Sequence, residues 1–542
     1  MQYFFVLLSS LLCSIMAIPL AMRLAPRLGL MDQPCARKVH ARPVARVGGI
    51  GIAVGLLLPL LLVLPLEPML GAWLAGAVIL FASGLLDDRF ELGHYTKFVG
   101  QLAAVGLVVF HGGLYITRLP FVPPELISPA LGMAITVFAM VGAINSINHA
   151  DGLDGLASGE TLLSLVAIAL LAWLVDAQLV VLISLAAIGS ILGFLRYNVH
   201  PARVFMGDSG SQLLGYTLAF LVVYLTQHAD PTLSAALPAL LLGLPIIDIL
   251  AVLYQRVRQR MNWFRATRNH IHHRLLDLGF QHGESVILIY GAQALFVTAG
   301  VLLSHQANAL ILALYLGGCV AIFLGLGRLE RLGWRREHQG LTGDGRLRTL
   351  SPRCRSLGAF ATRAVAVAVF LYMLAVSIFA DVVPADFGLG AMAAFLLMLT
   401  AMLLRADRKT LINRALIYLT LAFVVYLAVR YPAAAPWASQ WLQSLFFAGI
   451  SLGVIAAIAF SSESDFPITP TDYLVLAVVL LLAVFPDRDA LGTGFALMLA
   501  QLIVLAYACE LLIQRLTSQW RAHLGFASLV TMGVLGIRGL WM

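Results

Sequence analysis

Apolar residues run in blocks of about twenty from Tyr3 to Met542, separated by short polar breaks. A helix that crosses the hydrocarbon core needs about 20 such residues, so the pattern predicts a polytopic helical membrane protein. Segments 165–175 and 474–485 are continuously apolar. A strand of a membrane barrel would instead alternate over about ten positions, which leaves helices as the way to satisfy the backbone in lipid. Spans are expected near 3–22, 70–86, 98–116, 129–147, 285–303 and 308–326, with further spans between them, making eleven by Leu326. Runs near 365–383, 386–404, 415–429, 440–460, 472–485, 491–514 and 525–540 predict about six or seven more. The fold class is therefore an all-α polytopic membrane protein.

Basic residues mark alternate breaks. Segment 23–46 carries Arg23, Arg27, Arg37, Lys38, Arg42 and Arg46, and the break after the third span carries Arg89 and Lys97. Segment 255–284 has six arginines and 328–363 has nine, while the breaks around Glu67, Arg118, His228 and His305 have almost none. Lys and Arg stay preferentially in the cytoplasm, so one orientation puts 23–46, 87–97, 145–158, 196–211, 255–284 and 328–363 on that face. The first basic residue, Arg23, follows the first apolar run. The first helix is therefore expected to be uncleaved, with its N-terminus outside. Segment 328–363, with LTGDG and SPRCRS, has linker composition. It separates a module at 1–327 from an extension at 364–542, in which the acidic break 461–472 breaks the charge alternation.

Composition sharpens this. The 542-residue chain is 61% hydrophobic and 11% charged, with a mean hydropathy of +0.92, against roughly 25% charged in soluble domains, so a water-soluble fold is excluded. The net charge of +8 belongs to loops beside anionic lipid, and nucleic acid is not an expected partner. Cys13, Cys35, Cys319, Cys354 and Cys509 are far apart and form no CxxC pair, so neither a cysteine zinc site nor a disulfide framework is expected.

Carboxylates within a bilayer are costly, yet here they recur at helix ends of one predicted face: Asp87 and Asp88 in SGLLDDRFELG, Asp151 and Asp154 in NSINHADGLDGLASG, Asp208 in VFMGDSGSQLLG. One such motif alone reads equally well as an acidic helix cap. Three on one face, with Asn and Gly-rich turns, suit a hard divalent cation that takes one or two carboxylates and leaves its other positions to water and phosphate. A fourth segment, RNHIHHRLLDLGF, groups His270, His272, His273 and Arg274. Its histidine spacings do not match the i, i+4 pairs of helical zinc sites. A cationic cluster that binds phosphate oxygens fits better, with a plain solvated basic loop as the bland alternative.

In order, DQPCARKVHARPVARVGG, GLLDDRFELGHYTKFVGQ, NSINHADGLDGLASG, RYNVHPARVFMGDSGSQLLGY and NHIHHRLLDLGF resemble the polyprenyl-phosphate N-acetylhexosamine-1-phosphate transferases, over about residues 1–330. The resemblance implies an eleven-helix enzyme of the bacterial inner membrane with a cytoplasmic active site. It would transfer N-acetylhexosamine 1-phosphate, GlcNAc-1-phosphate in the branch favoured here, from a UDP-sugar to undecaprenyl phosphate. UMP would leave, and the product would start a cell-envelope polysaccharide of the O-antigen, teichoic-acid or exopolysaccharide type.

By the same resemblance Asn148 and Asp208 hold Mg²⁺, with Mn²⁺ as the alternative. Asp87 and Asp88 serve the acceptor phosphate as base or second metal support, and Asp151 and Asp154 lie on the nucleotide side. Lys97, Asn145, Asn198, His270, His272, His273 and Arg274 meet substrate. The DxPxxRKxH pattern (Asp32, Pro34, Arg37, Lys38, His40) and the HIHH run broken by Ile271 look like the N-acetylglucosamine branch rather than the muramyl-pentapeptide translocase, which stays the alternative enzyme. A transporter or scaffold for lipid-linked sugars is the rival class; transport would set the acids near mid-helix. No family motif follows residue 330, so the extension is expected to contact a second copy or partner membrane proteins and to stand outside the chemistry.

Overall fold

The first apolar block folds as α1 (Gln2–Leu28), longer at its end than the 3–22 run, because Arg23 and Arg27 ride on its last turns, where long basic side chains reach toward headgroups. A computed structural model describes residues 2–33, 43–65, 67–261, 269–336, 352–403, 409–432, 439–459 and 518–541, with isolated positions between 474 and 512. After α1 come α2 (Gly48–Val63), α3 (Pro68–Phe90), α4 (His94–Gly106, continued by a π turn, Leu107–His111), α5 (Pro129–Ala150) and α6 (Leu156–Leu174). Then follow α7 (Gln178–Asn198), α8 (Gly207–Tyr224), α9 (Leu237–Arg258), the short α10 (Ile271–Asp277), α11 (His282–Leu302) and α12 (Asn308–Arg331).

Among the described residues eleven helices are long and apolar enough to span a bilayer, nine of them before residue 332. Of the other two spans expected there, α2 is a shorter apolar helix, and α4 with its π turn occupies 94–111 in place of the 98–116 run. The chain is a multi-pass helical membrane protein.

The described helices fall into two compact units, α1–α12 and α13–α17. In the first, α6, α7 and α8 are buried almost all round and form the centre, while α12 keeps most of its surface outward. Small residues let helices approach closely without a hydrophobic drive: a Cβ on Gly49 of α2 would lie 2.3 Å from Ser209 Oγ and 2.5 Å from Gly210 N of α8. Helix α9 breaks at Gly243 (φ +47), just before Pro245. The freed groups are met by side chains, as lipid requires: Leu244 N–H donates to Gln293 Oε1 (2.9 Å), and Tyr315 O–H donates to Gly243 O (3.0 Å).

One feature departs from the all-helical expectation. Strands β1 (Met31–Asp32) and β2 (Val44–Arg46) pair antiparallel, and β2 pairs parallel with β3 (Val204–Phe205). Strands of two or three residues carry no readable period, and the partner β3 lies far along the chain. Of the opening DxPxxRKxH motif, Pro34, Arg37, Lys38 and His40 lie outside the described residues.

The second unit comprises α13 (Pro352–Phe379), α14 (Ala385–Leu403), α15 (Lys409–Arg430), α16 (Gln440–Ala459) and α17 (Ser518–Trp541). Its core includes Val369, Met373, Ala391, Leu421, Val424, Ala457 and Met532. Arg538 donates to the carbonyls of Ser377, Ile378 and Ala380 (3.0, 2.8 and 2.7 Å), satisfying the end of α13. The expected runs at 472–485 and 491–514, the break 461–472 and residues 337–351 of the expected 328–363 linker lie outside the described residues, isolated positions aside; the linker's flanks are helical, in α12 to Arg331 and in α13 from Pro352.

Candidate active site

One end of the first unit gathers the last turn of α3, the start of α4, the end of α5 with residues 151–155, the end of α7, β2, β3, the first turn of α8, and α10 with the start of α11. Between them is a cavity of about 860 Å³, within the range of small-molecule sites. Asp87, Asp88, Lys97, Asn148, Asp151, Asp154, Asn198, Asp208 and His273 line it.

The adjacent Asp87 and Asp88 do different things. Asp88 is buried, and its two oxygens accept the Asp208 N–H (2.8 Å), the Ser209 N–H (3.1 Å) and the Ser209 hydroxyl (2.7 Å). It caps α8 from another helix and puts negative charge at that helix's N-terminus. Gly207 (φ +72) leaves the room: a Cβ there would sit 2.6 Å from both Asp88 oxygens. Asp87 instead holds Lys97 Nζ (2.7 Å) through one oxygen, while its Oδ1 is buried without a hydrogen-bond partner.

Lys97 bridges Asp87 to Asp208, donating to Oδ2 of the latter. The other Asp208 oxygen accepts from Asn148 Nδ2 (2.8 Å), and that amide also donates to Ser211 Oγ (2.8 Å). The cluster offers oxygen donors only, and one of them, Asp87 Oδ1, is orphaned; a hard divalent cation fits this set.

Residues 151–154 also line the cavity. The Gly155 N–H donates to Asn198 Oδ1 (2.8 Å), and Asn198 Nδ2 donates to Val204 O (2.8 Å), so Asn198 staples this turn to β3. Tyr290 O–H donates to Gly155 O (2.6 Å). The Asp151 carboxyl is pushed up to about 7, first by burial and then by the charges of Asp208, Asp88 and Asp154. Asp154 Oδ2 meets His200 Nδ1 (2.6 Å) and accepts the Ala202 N–H (3.0 Å).

The HIHH segment, expected to act as one cationic cluster, is divided in the structure. His270 is buried, with Nδ1 on Asp248 Oδ2 (2.7 Å), and the other Asp248 oxygen accepts the Ile271 N–H (2.9 Å), capping α10. His272 is pressed on the turn: a Cβ on Gly152 would lie 2.3 Å from its Nε2. Burial, with His273 and His270 beside it, pushes His272 down to about 3, so it is neutral at pH 7. Of the three histidines only His273 lines the cavity. Arg274 turns away, forking onto Glu330 (2.7 and 2.9 Å) with its guanidinium 5.7 Å from the Phe323 ring centre. Asn145 is also off the cavity, exchanging hydrogen bonds with Gln101 (2.8 and 3.4 Å).

Asp32, Arg46, Glu91, His200, Phe205 and His282 also line the cavity but were not among the predicted site residues. Arg46 is paired with Asp32 across β1 and β2. Several lay in view, Arg46 and His200 inside quoted motifs and His282 a few residues after HIHH, but no spacing singled them out.

The sequence model of a family described as glycosyl transferase family 4 matches residues 70–226. The chain is 34% identical over 317 residues to a probable undecaprenyl-phosphate N-acetylglucosaminyl 1-phosphate transferase of Bacillus subtilis (strain 168), covering 58% of this chain and 88% of that protein. It is 32% identical over 307 residues to the undecaprenyl-phosphate alpha-N-acetylglucosaminyl 1-phosphate transferase of Escherichia coli (strain K12), covering 55% and 83%. Against the Yersinia pestis protein of that name the figures are 31% over 325 residues, 58% and 88%.

Proposed function

We propose, for a chain that belongs to the polyprenyl-phosphate N-acetylhexosamine-1-phosphate transferase family, that it transfers GlcNAc-1-phosphate from UDP-GlcNAc to undecaprenyl phosphate. The observation that carries this reading is the meeting of Asp87, Lys97, Asn148 and Asp208 with Asp151 and Asp154 around one cavity at one end of the bundle. In this reading the cavity opens to the cytoplasm at a bacterial inner membrane, the first unit carries the chemistry, and the product starts a cell-envelope polysaccharide.

An oxygen of the lipid phosphate attacks the sugar-bearing phosphorus, the bridging P–O bond breaks, and UMP leaves. Such transfer depends on position and charge more than on covalent help from the protein. Lys97 and Arg46 offset the repulsion between two anionic substrates. Asp208, Asn148 and the orphaned Asp87 oxygen would hold Mg²⁺, which supplies charge neutralisation at the diphosphate when bound. A phosphate monoester has its second pKa near 6, so the nucleophile is largely ionised at pH 7 and Asp87 serves better as an orienting group than as a base. Asp151 and Asp154 face the nucleotide side, with His273 beside them. Asp88 and Asn198 act through the backbone they fix.

The test is UMP release in membranes carrying the chain, supplied with undecaprenyl phosphate, UDP-GlcNAc and Mg²⁺. Release that needs all three is expected. Turnover of UDP-MurNAc-pentapeptide in preference would assign the other branch, and no release from any UDP-sugar would favour a transporter.

A further inference from the structure

Three ligand atoms from separate parts of the chain converge in the cavity wall. They are Asp154 Oδ2, His200 Nδ1 and His282 Nε2, all within 4.8 Å of one another. His200 and His282 stack with ring centres 4.0 Å apart and an interplanar angle of 19°. The Asp154 N–H donates to His282 Nε2 (3.0 Å), which fixes the neutral tautomer with the proton on Nδ1 and leaves Nε2 as the lone-pair atom. That Nδ1 is buried with no hydrogen-bond partner. His282 is thus an under-used polar group, and such groups call for an explanation.

We infer that Asp154, His200 and His282 form a second cation site, selective for a borderline-soft ion such as Zn²⁺, whose occupancy closes the donor side of the cavity. Two imidazoles and one carboxylate are a three-ligand zinc set with a fourth position open to the cavity, unlike the all-oxygen set around Asp208. A zinc ion with bonds of about 2.1 Å spaces its ligands about 3.4 Å apart. The observed separations of 2.6 Å (His200 to Asp154) and 3.9 Å (His282 to Asp154) bracket that value, and the exposed His200 ring must turn out of its stack on His282 for both in-plane lone pairs to reach one ion. Binding exchanges two hydrogen bonds for metal–ligand bonds: the neutral one at His282 Nε2, a contribution of about 1 kcal/mol, and the one His200 Nδ1–H donates to Asp154 Oδ2, whose proton leaves for the outer ring nitrogen or solvent as zinc takes Nδ1. The Ala202 N–H on Asp154 Oδ2 orients the carboxylate from behind, as outer-shell donors do in metal sites. The blocking effect rests on the proposed nucleotide-side place of Asp154; the site itself does not.

The experiment is Zn²⁺ titration of the purified, chelator-washed full chain against a chromophoric chelator, beside His200→Ala and His282→Ala, with and without millimolar Mg²⁺. His200 is exposed, so its variant is expected to fold even if the His282 variant does not. One zinc per chain is expected, not displaced by Mg²⁺ and weakened at least about 10-fold in either variant. Zn²⁺ inhibition of UMP release should be competitive with UDP-GlcNAc and should weaken in parallel. No stoichiometric binding, equal affinity in parent and variants, or displacement by Mg²⁺ overturns the site. An inactive transferase that binds zinc in this way would sink the proposed function and leave the site standing, whereas an active one without the binding would sink the site alone.

Discussion

Asp208 accepts hydrogen bonds from both Lys97 and Asn148, so replacing its charge while keeping its shape isolates what that charge does. Asp208→Asn is expected to lower UMP release at least about 10²-fold while the chain still folds, at a cost of about 1–2 kcal/mol because its NH₂ group opposes the Lys97 or the Asn148 donor. Asp176→Asn, at an exposed position with φ 52 where Asn is well tolerated, should match the parent. Equal activity in the Asp208 variant would remove that residue from the site. Asp151 yields a pH prediction. Its folded-state value of about 7 lies above the ordinary carboxylate range, so between about 4 and 7 the folded chain holds a proton that the unfolded chain releases. Folding stability from this group therefore falls as pH rises through that window. In metal-free buffer Asp151→Asn should melt above the parent at pH 8, with the gap narrowing at pH 5 and closing near pH 4. Melting curves that stay parallel across this range would mean that burial does not strain Asp151.

At the scale of elements, α8 enters the site because another helix caps it. Asp88→Asn keeps one acceptor oxygen but sets an NH₂ group against backbone N–H donors, at a cost of about 1–2 kcal/mol. The Asp88 variant should lose several degrees of melting temperature and lose transfer with it, because Asp208 rides on the first turn of α8. Loss of transfer at an unchanged melting temperature would instead mean that Asp88 touches the acceptor phosphate. The sequence could not separate Asp87 from Asp88: neighbours on a helix point about 100° apart, and only the packing of α3 on α8 decides which faces the partner helix and which the cavity. The same holds for HIHHR, where one turn of α10 sends His270 to Asp248, His272 to Gly152, His273 to the cavity and Arg274 to Glu330.

At the scale of the molecule, every group proposed for chemistry belongs to α1–α12 and their connections, and α13 begins only at Pro352. A chain ending at residue 345 is therefore expected to insert and to keep Mg²⁺-dependent UMP release within a few-fold of the parent. A monodisperse truncated protein without transfer would show that the extension completes the site. The long apolar helices before residue 332, the charge alternation of the breaks between them and the acidic ends of α3, α5 and α8 were all legible in the chain. They rest on local quantities, namely the length of an apolar run, the residues flanking it and the cost of a carboxylate in lipid. The division of labour within the site was not, because it depends on pairs made by residues far apart. Arg46 meets Asp32 only when β1 and β2 pair, Asn198 joins residue 155 to Val204, and His282 reaches Asp154 across the fold. Hydrogen bonds of this kind leave no period in a sequence, and burial, which sets the proton on Asp151 and removes it from His272, exists only once the helices have packed.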